Sequence, residues 1–452
     1  MCHAGERGHR IYLLILTFSV NFYLGTALSL PLTAAPIFKD TPFAVIWNAP
    51  TYVCRDLKIP LDFSVFQAVT TPASEPNQFL FLFYSNRLGL YPYTEPSTGR
   101  QFNGGIPQKG NLTASLVKAH NDISQYIPEF TPGLAVIDWE EWRPLWARNW
   151  ASKDIYQKLS IQYAKENNPL LSPSEAVSVA RQQFENAARA YMEKTMQLGI
   201  KLRPNYLWGF YLFPDCYNYG WGNPGYTGEC PEIEKRRNNE LLWLWESSTA
   251  LFPSAYLPVS LREQPDAALF VRGRVKEAVR VSALPKSLYT APIYVYLRPV
   301  FSDQNKIFLS EADLVPTIGE SAALGASGVV LWGASADYNS KSSCEALAAY
   351  LPSTLNPYVA NVTAAAKLCS QTLCQGHGRC VRQNPDSADY LYLNPNNFSI
   401  QQRDGKYVAV GVPSQSDLNV FVNRFTCQCY VGQVCSAYTS ISVPKTPLVI
   451  QV

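Results

Sequence analysis

The feature that most restricts the fold of this chain is an ordered alternation between Phe43 and Trp332. Short apolar runs of strand length recur: Phe43-Ala44-Val45-Ile46-Trp47, Gln78 to Tyr84, Leu134 to Ile137, Leu207 to Leu212, Pro292 to Leu297 and Gly328 to Trp332. Between them lie amphipathic stretches with helical period, among them Ser174 to Leu198 and Glu240 to Leu251. Near-continuous apolar runs read as strands covered on both faces, and β-then-α order predicts a parallel sheet, open or closed into a barrel. Polar residues of catalytic type cluster just after several of these runs, which favours a (β/α) barrel with its site at the C-terminal face. A doubly wound sheet is the alternative, but no G-x-G-x-x-G or P-loop pattern supports a nucleotide site.

The most informative of these clusters is Asp138-Trp139-Glu140-Glu141-Trp142-Arg143, which follows the run Gly133 to Ile137. Side chains alternate along a strand, so Asp138 and Glu140 share one face while Trp139 and Glu141 point the other way. Two carboxyls that close repel when both are ionised, which raises one pKa and retains a proton near the working pH. A protonated carboxyl beside an ionised one is what a glycosidase general acid requires. The bland alternative is that the acids cap the next helix or pair with Arg143. Ordinary glycosidases set their two carboxyls about 5–9.5 Å apart, on opposite sides of the scissile bond. Residues i and i+2 of one strand cannot easily do so, and the nucleophile is then expected from elsewhere.

Asp138-Trp139-Glu140-Glu141-Trp142-Arg143-Pro144, followed by Trp146-Ala147-Arg148-Asn149-Trp150, resembles the catalytic segment of the animal hyaluronidases. The resemblance extends through Trp47-Asn48-Ala49-Pro50-Thr51, Leu207-Trp208-Gly209-Phe210-Tyr211-Leu212-Phe213-Pro214-Asp215-Cys216, Ser254-Ala255-Tyr256, Ile318-Gly319-Glu320-Ser321 and Val329-Val330-Leu331-Trp332-Gly333. It runs from about Pro36 to Cys435 and is nearest to the soluble lysosomal or secreted vertebrate type. It implies a distorted (β/α) TIM-like barrel and hydrolysis of the β-1,4 linkages of hyaluronan, with chondroitin as the alternative substrate and a weakly active hyaluronan-binding protein as the alternative function. The N-acetyl group of the substrate would then be the nucleophile, a retaining route. Glu140 would be acid and base, Asp138 would tune and orient it, and Tyr211 would hydrogen-bond the acetamido group. Asp215, Tyr256 and Trp332 would shape the sugar subsite, with Tyr84 and Ser254 as further substrate-binding candidates, and Asn48 could orient the carboxyl pair or satisfy buried backbone. Taken residue by residue, Tyr211 and Trp332 could equally be core, Asp215 a turn residue, and Tyr84 and Tyr91 two tyrosines among many. Arg143 could hold a glucuronate carboxylate or pair with Glu141.

The resemblance also implies the disulfides Cys54–Cys344, Cys216–Cys230, Cys369–Cys380, Cys374–Cys427 and Cys429–Cys435, the last the weakest because Gln433 departs from the family pattern. The eleven cysteines leave ten once Cys2 is set aside, an even number suited to an oxidising compartment. The division of the chain is expected at residues 1–27 for a secretory signal, 28–365 for the barrel, 366–440 for an EGF-like module with an insertion, and 441–452 for a tail. Arg7 and Arg10 before an apolar stretch, with Gly25-Thr26-Ala27 after it, carry the signal reading. Ser436 to Val452 lacks the apolar tail of a glycolipid anchor signal, so no membrane anchor is expected. The expected location is the secretory pathway, ending in the lysosome or outside the cell. Asn111, Asn361 and Asn397 begin sequons and are candidate glycosylation sites.

A formal charge of +3 gives no global basic field, so nucleic acid is not an expected partner, and a polyanionic sugar would need local cations. His3 and His9 fall in the signal, leaving His120 and His377, too few for a metal or Ser-His-Asp constellation. No metal or other cofactor is expected, and the protein is expected to act as a monomer. The C-terminal module is expected to lie outside the chemistry.

Overall fold

The computed structural model describes Met1, residues 30–438 and residues 442–452; apart from Met1 the expected signal falls outside the described residues. The apolar runs form parallel strands β1 (Ala44–Asn48), β2 (Ala68–Thr70), β3 (Leu80–Tyr84), β4 (Gly133–Asp138), β5 (Tyr206–Phe210), β6 (Tyr294–Leu297) and β7 (Gly328–Trp332). They pair in the orders β2-β1-β7-β6 and β3-β4-β5, all in parallel register. An extended segment joins the two sheets: Leu251 bridges Ile293, Phe252 bridges Tyr211, and Ser254 bridges Tyr296. Gly209 permits this close approach, since a Cβ there would stand 2.2 Å from the Ala250 carbonyl oxygen. The helical stretch expected over Glu240 to Leu251 accordingly stops early, at Ser247. Beyond it the amides of Thr249 and Ala250 both donate to the Trp208 carbonyl, exchanging helix for strand pairing.

Alternation along the strands sorts the core into two. Ile46, Leu80, Leu82, Leu134, Val136, Phe252, Tyr294, Tyr296 and Val330 make an inner cluster shared by both sheets. Tyr84, Tyr211, Tyr256 and Trp332 pack on it, partly buried. The opposite faces (Val45, Phe81, Phe83, Ala135, Ile137, Trp208) join the larger core shared with the helices. Those helices include α1 (Leu112–Tyr126), α2 (Asp154–Asn167), α3 (Pro173–Leu202), α4 (Pro265–Ser282) and α5 (Lys341–Tyr350). Helix α3 starts where the sequence indicates. Ser172 and Glu175 form a reciprocal capping box, with Pro173 at the first turn.

Helix α6 (Asn356–Leu373) is buried on most sides, and the division expected at residue 365 falls inside it, so no linker separates the two parts. Beyond it β8 (Gly378–Arg382) pairs with β11 (Phe425–Cys429). The insertion supplies β9 (Phe398–Arg403), β10 (Lys406–Gly411) and α7 (Gln415–Arg424). The expected tail adds β12 (Leu448–Gln451), antiparallel to β10. All five implied disulfide pairs are joined. Among the described residues no helix is long and apolar enough to cross a membrane.

Two networks tie the parts together, the first of them buried. Glu320, fully buried, accepts from Arg272 of α4 at 2.7 Å and from Arg382 of β8. Asp62 accepts from Gln402 and Tyr407 of the insertion at 2.9 and 3.1 Å. The sequon asparagines fare differently. Asn111 is exposed and caps α1 through its Oδ1. Asn361, however, is only 7% exposed, donating to and accepting from the Leu393 backbone at 3.2 and 2.8 Å. Its amide is thus held inside the fold, unlike the exposed side chain of Asn111. Asn397 is half-buried and its amide donates to Asp417.

Candidate active site

Parallel register brings the candidate residues to one level at the C-terminal ends of the strands. Tyr84 stands opposite Asp138, and Asn48 opposite Trp332. Tyr211 follows β5 directly, its amide donating to the Ile137 carbonyl. Together they roof the inner apolar cluster, where a polar group is poorly solvated.

Asp138 is the last residue of β4 and shares the inward face of Val136, hydrogen-bonded to Glu140. Its Oδ1 is buried with no hydrogen-bond partner among the described residues. Burial, the neighbouring Glu140 charge and the hydrogen bond to Glu140 push its carboxyl up to about 8, and Arg143 only partly opposes them. The proton expected on the pair therefore rests first on Asp138. The Glu140 side chain, 47% exposed, reaches solvent where a substrate can meet it. Arg143 donates to the Glu140 carbonyl at 2.8 Å and approaches Glu140 Oε2 at 3.5 Å, so it partners Glu140 rather than Glu141.

Aromatic groups surround the pair. Tyr211 donates to Ser254 Oγ at 3.2 Å, and burial, then the Glu140 charge, raise its hydroxyl well above its ordinary range. It therefore stays a neutral donor. Tyr256 stacks between Tyr211 and Trp332, with ring centroids 6.3 and 5.9 Å away. Trp332 Nε1 donates to Tyr84 Oη at 3.3 Å, closing the circle across the far side. Asn48 is fully buried and donates to Thr70 Oγ1 at 2.8 Å.

Two candidates lie elsewhere. Asp215 accepts from Arg148 at 3.0 Å, and Arg148 also faces Glu234 at 3.6 Å and covers the Tyr217 ring at 3.9 Å. Asp215 is thus held in an ion-pair network and is joined to the carboxyl pair by no hydrogen bond among the described residues. Tyr91 is fully buried, stacked between Trp139 and Trp142, and offers no face to a sugar.

Sequence reasoning passed over two residues. Tyr296 of β6 forms the floor beneath Tyr211, ring centroids 5.0 Å apart, its Oη buried without a partner among the described residues. Its position within a strand run gave only a core signal. Lys153 donates to the carbonyls of both Glu140 and Glu141, and as a lone lysine it gave no signal at all. Among the described residues no cluster of His, Cys, Asp and Glu could hold a metal ion.

A parallel α/β frame with a carboxyl pair and partly buried aromatics at its C-terminal strand ends fits the glycoside hydrolases. The hyaluronidase family model matches residues 32–439, and the chain belongs to this family of enzymes. It is 50% identical to hyaluronidase-5 of Mus musculus over 95% of this chain and 82% of that one. It is 48% identical to hyaluronidase PH-20 of Homo sapiens over 90% and 81% of the two chains. Hyaluronidase-1 of Bitis arietans is 43% identical over 88% and 90%. Among solved structures, bee venom hyaluronidase superposes with a TM-score of 0.62 at 31% identity, covering 70% of this chain and 99% of its own. A structure of that enzyme in complex with a hyaluronic acid tetramer gives 0.62 at 32% identity, covering 70% and 98%.

Proposed function

We propose that this hyaluronidase is an endo-β-N-acetylhexosaminidase that cleaves the β-1,4 linkages of hyaluronan with retention, using Glu140 as general acid and base. The observation that carries the reading is the raised Asp138 carboxyl bonded to a solvent-facing Glu140. Glu140 gives its proton to the glycosidic oxygen as the acetamido carbonyl oxygen of the same sugar attacks the anomeric carbon. The bond to the departing sugar breaks and an oxazolinium ring closes. Glu140, now a carboxylate, takes a proton from water as that water opens the ring, restoring the β configuration. Asp138 feeds the proton across the pair, Tyr211 donates to the acetamido oxygen, and Tyr84, Ser254, Tyr256 and Trp332 shape the subsite. Asn48 supports it from below.

The strands in this reading form a distorted barrel, and the part after α6 an EGF-like module outside the chemistry. Nearly all of the bee chain fits within 70% of this one, so the hyaluronidase fold is complete with less chain than is present here. Five disulfides support maturation in an oxidising compartment, with delivery to the lysosome or secretion. Chondroitin as substrate is the alternative, and no observation favours it.

The test is Glu140→Gln, which removes the transferable proton and keeps the shape. Hyaluronan turnover is expected to fall at least about 10²–10⁴-fold with an unchanged circular dichroism spectrum. A folded Glu140→Gln protein with wild-type turnover would overturn the assignment.

A further inference from the structure

Beside the carboxyl pair lies a half-buried cation that the proposed reaction leaves unused. Lys153 ends the helical turn Ala151–Lys153, at the entrance to α2. Its Nζ donates to the Glu140 carbonyl and, at 3.2 Å, to the Glu141 carbonyl. Ala151, which opens that turn, holds a φ of 53°, in the left-handed region that an alanine seldom enters. The Glu140 carbonyl thus receives two cations, Lys153 and Arg143, just past the end of β4, where the strand ladder no longer fixes the backbone.

The charged groups facing Lys153 are Glu140, Glu141 and Arg143, with Asp138 behind Glu140. Tyr91, Tyr93 and Tyr156 face Glu141 from the neighbouring elements. Asp138, Glu140 and Glu141 carry three formal negative charges and Arg143 and Lys153 two positive ones. One added proton makes this cluster neutral.

We propose that Lys153 is a positioning residue for the reaction above: it clamps the backbone of Glu140 and Glu141 and supplies the charge against which the carboxyl pair holds its proton. The proposal rests on the assignment of Glu140 as the acid. Burial, and next the charge of Arg143, lower the Lys153 ammonium to about 8, so its charge is present through the acidic range and lost as pH rises through that value.

The experiment measures kcat and KM on hyaluronan across a pH series for the wild type, Lys153→Arg, Lys153→Met and Lys153→Gln. Arginine keeps the charge and should leave the profile in place. Methionine removes both charge and clamp, so kcat should fall about tenfold with KM nearly unchanged. Without the cation the pair holds its proton more tightly, and the alkaline limb should move up by about one pH unit. Glutamine restores a neutral donor, so kcat should partly recover while the limb stays displaced. It also serves as the test should Lys153→Met not fold. An unchanged kcat, or a lower kcat with the limb unmoved or moved down, overturns the proposal. Absence of hyaluronan turnover in the wild type would instead strike the proposed function.

Discussion

Two buried carboxyls in this molecule receive opposite treatment. Glu320 has no exposed surface, yet two guanidiniums from different parts of the chain reach it, one on α4 and one on β8. Asp138 sits over the inner apolar cluster with another carboxyl for its closest ionisable partner, and Arg143 acts on it only weakly. The first arrangement compensates a buried charge and fixes how two pieces of chain lie together. The second leaves the charge uncompensated and retains a proton instead. Burial alone does not mark a reactive group; what matters is whether a counter-charge accompanies it.

The comparison can be broken most forcefully at Asp138. Replacing it with asparagine removes the group that feeds the proton to Glu140 and should lower kcat on hyaluronan by about 10²-fold or more, with the fold intact. Wild-type turnover by Asp138→Asn would reduce Asp138 to a structural acid like Glu320. Next in size is Glu320→Gln, which strands two buried guanidiniums and should destabilise the protein by about 3–5 kcal/mol. A denaturant midpoint within error of wild type would show that the buried ion triad contributes nothing.

The third test sharpens the contrast through pH, where the effect per pH unit is the smallest of the three. Asp138 has a folded pKa above its unfolded value, so its stabilising contribution is full below about 4 and lost as pH rises toward about 8. Asparagine has no such loss. The stability of Asp138→Asn relative to wild type should therefore rise between pH 4 and 8, by at most about 1.4 kcal/mol per unit. Melting curves of the two proteins at matched pH would show a flat difference if the proton is not held there.

Much of this arrangement can be read from the chain, because a buried parallel strand has a local signature. Six of the strands coincide with apolar runs to within a few residues. Strand β2 has three residues, too few for any periodicity to register. The stretch to Leu251 kept helical spacing, but pairing with Trp208 and Pro292 outweighed that preference at its end. At the site, Asp138 and Glu140 were legible because i and i+2 on a strand share a face. Asp215 and Tyr91 were not, since their surroundings come from Arg148 and from Trp139 and Trp142, which only the folded chain brings to them. The surroundings of Asn361 were hidden for the same reason: a sequon is three residues long, while burial within α6 is decided by the whole molecule.

Helix α6 has a mechanical consequence. It belongs to both parts at once, contributing Cys369 to the stapled region while Asn356 bonds the carbonyl of Asp62 in the loop before β2. A protease acting on the folded protein would find loop tips to nick but no hinge at which the catalytic part could be detached whole. On heating, the chain should come apart as one body, in a single calorimetric transition.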